Sequence, residues 1–126
     1  MKHYHKKRLL KLADFLLTVP AKQFDMKNWA LEENNGKPAC GTVACACGWA
    51  TTIPSFRKAG LRLQGTEFRP YLEYNGSYQF YAAAAFFDIT TIEAEYLFHP
   101  CSYGGNYKPK IKTVSNRIKK FVADRS

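Results

Sequence analysis

Between Lys37 and Arg57 the chain carries no charged residue, and the stretch KPACGTVACACGWATTIP holds three of its four cysteines beside a tryptophan. A segment of this length with no charged face has to be buried, and the rest of the chain must fold around it. Placed at 100° per residue, Ala44, Cys45, Gly48 and Thr52 form one face of small side chains, with Val43, Ala46, Cys47, Trp49, Ala50 and Ile53 covering the remainder. The reading is one buried helix, with Thr42 as its N-cap and Pro54 as its stop. Gly48 sits mid-helix, at a propensity cost of about 1 kcal/mol, because the small face lets a neighbouring helix approach closely.

The length of 126 residues fits a single domain, 1–126, able to bury roughly two thirds of its unfolded surface. A hydrophobic share of 46% places it among globular chains. No apolar run approaches the ~20 residues of a membrane span. The opening MKHYHKKRLLKLADFLLTVP has the outline of a signal peptide, but Lys11 and Asp14 interrupt its apolar positions and no small-residue cleavage site follows Pro20. It reads as a helix, and the protein as cytoplasmic. Cysteine density is below that of stapled secreted domains, so reduced thiols are expected.

Along the chain, Leu9, Leu12, Ala13, Leu16 and Val19 recur at helical steps over residues 5–19, and Pro20 ends that run. QFDMKNWALEENNGKP reads as a short helix or turn entering a polar loop, with Phe24, Met26 and Trp29 anchoring it to the core. SFRKAG adds a helical turn closed by Gly60. LRLQ and EFRPYLEY alternate in part, Asn75-Gly76 signals a hairpin, and Pro70 confines any strand there to an edge. SYQFYAAAAFF returns to helix, Thr90 and Glu93 form a capping box for TIEAEYLF, and His99-Pro100 closes that helix. Val114, Ile118, Phe121 and Val122 mark an amphipathic C-terminal helix. The fold class expected is mainly α: about six helices in a compact single domain, with a minor β-hairpin or extended segment around residues 61–76.

The net charge of +9 is uneven. Lys2, Lys6, Lys7, Arg8 and Lys11 crowd the first helix, and seven bases against Asp124 crowd residues 108–126, while residues 72–107 hold only acids. Such asymmetry points to an acidic partner at the basic ends. The candidate contact residues are Lys108, Lys110, Lys112, Lys119 and Lys120, whose alternative role is a solvated helix face. Tyr71, Tyr74 and Tyr78, in an aromatic-rich segment poor in bases, form a second candidate surface.

A zinc or iron–sulfur site would need Cys40, Cys45, Cys47 and Cys101, but the C-x4-C-x-C spacing lacks the usual knuckle, and on a helix Cys45 and Cys47 point apart. No metal or other cofactor is expected. Cys40, just before a helix start, could be a nucleophile with His99 as base and Asp88 or Glu95 as orienter. CACGWATTIPSFRKAGL resembles the cysteine-bearing helix of transglutaminase-like proteins, yet the strand histidine and the following aspartate of that pattern are missing. AAAAFFDITTIEAEYLF has the spacing of a helix-turn-helix around Asp88, but Glu93 and Glu95 on the second helix would repel phosphates.

FDMKNW, CGTVACACGWA, FFDITTIEAEYLF and RIKKFV together resemble an uncharacterised family of small bacteriophage and bacterial proteins, over a span from about Phe24 to Val122. The CGT…C…GWA block is its most specific part, and Asp88 stands where a glycine is usual in that turn. The resemblance implies a phage or prophage accessory protein in the bacterial host cytoplasm and brings no catalytic residues. The leading expectation is a non-enzymatic, phage-type binding protein that inhibits or sequesters a host or antiviral component. Its partner would be an acidic protein surface or the phosphate of a nucleic acid or nucleotide, with no membrane. A cysteine-dependent hydrolase or transferase and an RNA- or DNA-binding protein are the alternatives.

Overall fold

A computed structural model describes residues 2–39, 42–66, 69–104 and 108–125. Helix α1 (His3–Leu16) and helix α6 (Ile111–Ala123) bring the two ends of the chain together. Leu9, Leu12, Ala13 and Leu16 meet Val114, Ile118, Phe121 and Val122, and every one of these is buried. Full burial of a large apolar side chain contributes about 1.5–3 kcal/mol, so this contact is a main stabilising unit of the fold. The helices run antiparallel: Lys6 Nζ reaches the Arg125 carbonyl at 3.0 Å, and Lys119 Nζ lies 3.2 Å from Asp14. At their crossing the fully buried Ser115 hydroxyl donates to the Ala13 carbonyl at 2.8 Å.

Between the ends lie β1 (Glu33–Asn34), β2 (Lys37–Pro38), α2 (Ala46–Ala50), α3 (Pro54–Lys58), β3 (Arg62–Thr66), β4 (Arg69–Tyr74), β5 (Ser77–Tyr78), α4 (Gln79–Phe87) and α5 (Thr91–Phe98). Short 3-10 turns occupy Ala21–Gln23 and Pro100–Tyr103. Strands β1 and β2 pair antiparallel, and β3-β4-β5 form a separate antiparallel sheet. Among the described residues helices take 53% and strands 16%, so the mainly α class expected from the sequence is corrected to mixed α/β, although the six helices found there agree with the number expected.

The correction comes from two turns built alike. Asn35-Gly36 and Asn75-Gly76 both hold positive φ, at 57° and 78° and at 51° and 86°. That is the type I′ geometry that tight hairpins need. In each, a glutamate three residues before the glycine accepts its N–H at 3.0 Å: Glu33 Oε2 from Gly36, Glu73 Oε2 from Gly76. The first hairpin lies in what reads as a polar loop, because its strands are two residues long and show no alternation. Its turn is fastened by contacts from far away: Leu63 N–H donates to the Gly36 carbonyl at 2.8 Å, and Arg57 donates to the Asn35 carbonyl at 2.7 Å. Pro70 is tolerated in β4 because β5 pairs only with Glu73 and Tyr74.

Glu73 is buried, and the Gly76 N–H together with the Arg62 guanidinium, 2.9 Å away, holds its carboxyl below the usual range. A carboxyl depressed on folding contributes stability above its unfolded pKa and loses it as pH falls through the folded value. Glu73→Gln is therefore expected to cost about 1–2 kcal/mol at neutral pH, a gap that closes as pH drops below about 4. Urea midpoints of the two proteins across that range check it.

The uncharged stretch is not one helix. Thr42 is not a cap; its hydroxyl accepts the Glu32 N–H. Ala44 instead bridges in parallel to Phe24, and helix α2 begins after Cys45, whose thiol accepts the Gly48 N–H at 3.4 Å. Ile53 is extended, as a residue before proline tends to be, and Pro54 opens α3 rather than closing the earlier helix. The face around Gly48 receives backbone, not a helix: a Cβ there would stand 1.7 Å from the Trp29 carbonyl oxygen.

Helices α4 and α5 close the core. Ala82, Ala83 and Ala84 keep α4 near β4, and Phe86 meets Phe56 at 4.9 Å and Tyr74 at 5.0 Å. Asp88 ends α4 in the left-handed region, and Thr90 with Glu93 forms the expected capping box. His5, buried on α1, lies 3.8 Å from Asp88, and burial lowers its pKa.

Candidate functional site: a strap between two clefts

The segment Phe24 to Trp29 lies across the uncharged block and is pinned to it along its length. Ala44 N–H donates to the Gln23 carbonyl at 3.1 Å, Asp25 N–H to the Ala44 carbonyl at 3.0 Å, and Cys45 N–H to the Asn28 carbonyl at 2.7 Å. Trp49 adds its indole N–H to the Gln23 carbonyl at 2.8 Å. Gly48 completes the fit, since only a hydrogen can face the Trp29 carbonyl. FDMKNW and CGTVACACGWA, separate in the sequence, thus make one structural unit, which holds the strap's side chains between two clefts.

The first cleft, about 540 Å3, joins Phe24 and Met26 of the strap to Lys108, Lys110, Ile111 and Lys112 at the start of α6. Its volume is in the range of small-molecule sites. Lys110 occupies the N-cap position, no side chain caps that terminus, and the first turn has no acid. The uncapped amides and the helix dipole therefore add to the lysine charge. The acid at this cleft, Asp25, accepts the Lys27 N–H at 2.9 Å.

The second cleft, about 240 Å3, lies beyond Met26 and is lined by Lys27, Trp29, Cys45, Phe80 and His99. Its rings form a ladder: Trp29 to Phe80 at 5.0 Å, and Phe80 stacked on His99 at 5.1 Å and 21°. His99 ends α5, as the sequence suggests, and its Nδ1 accepts the Cys101 N–H at 3.0 Å. With that lone pair engaged, His99 is poorly set to act as a base through Nδ1.

Cys45 and Cys47 are equally unprepared for nucleophilic work. Burial pushes Cys45 up to about 11, against the opposing Gly48 N–H, and pushes Cys47 well above its ordinary value. Both stay protonated at neutral pH, and a thiol is a far weaker nucleophile than a thiolate. Cys45, Cys47 and the exposed Cys101 are free cysteines. Cys40, the nucleophile considered from the sequence, lies outside the described residues. Among the described residues no three His, Cys, Asp or Glu side chains gather as a metal site.

The remaining candidates are dispersed. Lys119 pairs with Asp14 and Lys120 with Asp124, each at 3.2 Å, and neither lines the cleft of Lys108, Lys110 and Lys112. Lys120 borders a larger hollow, about 660 Å3, between α5 and α6. The charges there are internally committed: Arg125 pairs with Glu93, and Arg117 donates to the Tyr96 carbonyl and lies over the Tyr96 and Tyr103 rings. Tyr71 and Tyr78 meet edge-on at 5.3 Å on the sheet, and Tyr74 is spent against Phe86. Sequence reasoning took Met26 and Trp29 as core anchors and did not single out Lys27 or Phe80. The signal available was the FDMKNW block itself, which places aromatic, acidic and basic side chains in one short segment.

The fold and site define a small mixed α/β protein with paired basic and aromatic clefts. No protein-family model, curated protein or solved structure matches the chain. Among the described residues no helix is long and apolar enough to cross a membrane.

Proposed function

We propose that this is a non-enzymatic binding protein that captures a phosphate-bearing ligand in the cleft at the start of α6. The observation that carries the reading is a cleft lined by Lys108, Lys110 and Lys112 together with the apolar Phe24, Met26 and Ile111, against a single acid, Asp25. Lysine is an effective point-charge partner for phosphate, and the uncapped helix terminus favours the same charge. A cleft with both cationic and apolar lining suits a ligand with a charged end and an apolar body. The protonated state of Cys45 and Cys47 and the occupied Nδ1 of His99 support binding over catalysis. The resemblance to bacteriophage proteins supports a setting in the host cytoplasm, where such capture would sequester a phosphorylated signal or blunt a host response.

The test is calorimetric titration of the purified protein with inorganic pyrophosphate at ~0.1 M and ~1 M salt. Raising salt shortens the screening length from about 10 Å to about 3 Å, so binding is expected at the lower concentration and at least tenfold weaker at the higher. Absence of binding at low salt, or salt-independent binding, would overturn the proposal. Either outcome would leave an acidic protein surface as the better candidate partner.

A further inference from the structure

We infer that the two clefts are halves of one site and that the ligand is a nucleotide, its phosphates at Lys108, Lys110 and Lys112 and its base in the aromatic cleft. This rests on the phosphate reading above and adds the identity of the other end of the ligand. Met26 lines both clefts, so its side chain is a wall common to the two. The strap feeds them in order: Phe24 and Asp25 to the basic side, Met26 to both, Lys27 and Trp29 to the aromatic side. A ligand spanning them must carry its charge at one end and a planar apolar group at the other.

The chemistry of the smaller cleft selects an aromatic ring. Trp29, Phe80 and His99 offer their edges and the faces they do not turn to one another, in a space of about 240 Å3, enough for a ring system and too small for a helix or strand. Bases stack on such side chains whatever their identity, because every base has a π-face. His99 spends Nδ1 on the Cys101 N–H, so Nε2 is the nitrogen that a polar atom on the ring can address. Lys27, at the same cleft, adds positive charge on the side of the strap away from Lys108 and Lys110. The arrangement discriminates poorly among bases and strongly between a nucleotide and a bare phosphate.

The decisive comparison is ADP against inorganic pyrophosphate, titrated calorimetrically into the wild-type protein under the same conditions. These carry similar charge and differ by the nucleoside, so ADP is expected to bind about tenfold or more tightly, the scale of one base–aromatic stack. Phe80→Leu, which keeps an apolar side chain and removes the ring, is expected to bring ADP down to the pyrophosphate affinity and leave pyrophosphate unchanged. Equal affinities of the wild type for the two ligands would overturn the nucleotide assignment while leaving the phosphate site standing. Failure of both to bind would overturn the phosphate site as well. The wild-type comparison needs no variant, so the inference stays testable even if Phe80→Leu misfolds.

Discussion

Gly48→Ala is expected to destabilise the protein by about 3 kcal/mol or more and to lower its melting temperature by more than about 10 °C. In an exposed helix the same change would stabilise by about 1 kcal/mol, so the sign is diagnostic. The added Cβ would lie 1.7 Å from the Trp29 carbonyl oxygen and 2.9 Å from the Ala44 Cβ. Neither neighbour is the yielding end of a flexible side chain. Relief requires the strap to lift, which strains the hydrogen bonds from Asp25 to Ala44 and from Cys45 to Asn28. Gly76→Ala is the control: it is also a glycine to which a methyl is added, yet nothing lies within 4 Å and the cost is only that of a positive φ, about 1–2 kcal/mol. Thermal melts of the two variants decide the matter, and a Gly48→Ala protein as stable as wild type would show that the strap does not seat on α2. Because Trp29 belongs to the aromatic cleft, a folded Gly48→Ala protein is also expected to lose ligand contacts there.

The second large effect is on binding. Reversing Lys108, Lys110 and Lys112 to glutamate is expected to weaken pyrophosphate binding by more than about a hundredfold. A unit charge pair at 4 Å is worth about 1 kcal/mol even at the dielectric of water, and reversal turns three attractions into three repulsions. Stability should move the other way. Lys110 and Lys112 occupy the N-cap and first turn of α6, where no acid now stands, and glutamate there complements the helix dipole by about 0.3–1 kcal/mol. A protein that stays folded and no longer binds pyrophosphate is the expected outcome. Reversing Lys119 and Lys120 should do the opposite, breaking the contacts with Asp14 and Asp124 at small cost to stability and none to binding. Retained binding in the first variant, or loss confined to the second, would move the anion site away from the start of α6.

Much of the local architecture can be read from short stretches. The capping box of Thr90 and Glu93, the turn at Asn75-Gly76 and the closing Gly60 each depend on groups within a few residues of one another. The buried stripes of α1 and α6 follow from helical periodicity, and burial of the uncharged stretch follows from its lack of a polar face. The first hairpin is the instructive failure. Glu33-Asn34-Asn35-Gly36 carries the same turn chemistry as Glu73-Tyr74-Asn75-Gly76, but its flanks are too short to alternate, and it is held by Leu63 and Arg57. The buried helix failed for a related reason: periodicity fits residues 42–53 to one helix, whereas Ala44 pairs with the strap and Ile53 is extended before Pro54.

The candidate site was legible in its ingredients and not in its assembly. Sequence alone determined that the chain ends in a lysine-rich helix, that FDMKNW and the cysteine block are buried or anchoring segments, and that His99 ends a helix. Which lysines act together was decided only by tertiary structure. Antiparallel packing of α1 on α6 sets Lys119 against Asp14, and the cleft at the start of α6 sets Lys108, Lys110 and Lys112 beside Phe24 and Met26. In the same way the close approach of Gly48 to Trp29 joins two segments whose partnership no periodicity records. Caps and turns are visible in sequence because their interactions are local. A cleft is a property of surfaces brought together from distant parts of the chain, and only the burial of the shared core settles which surfaces those are.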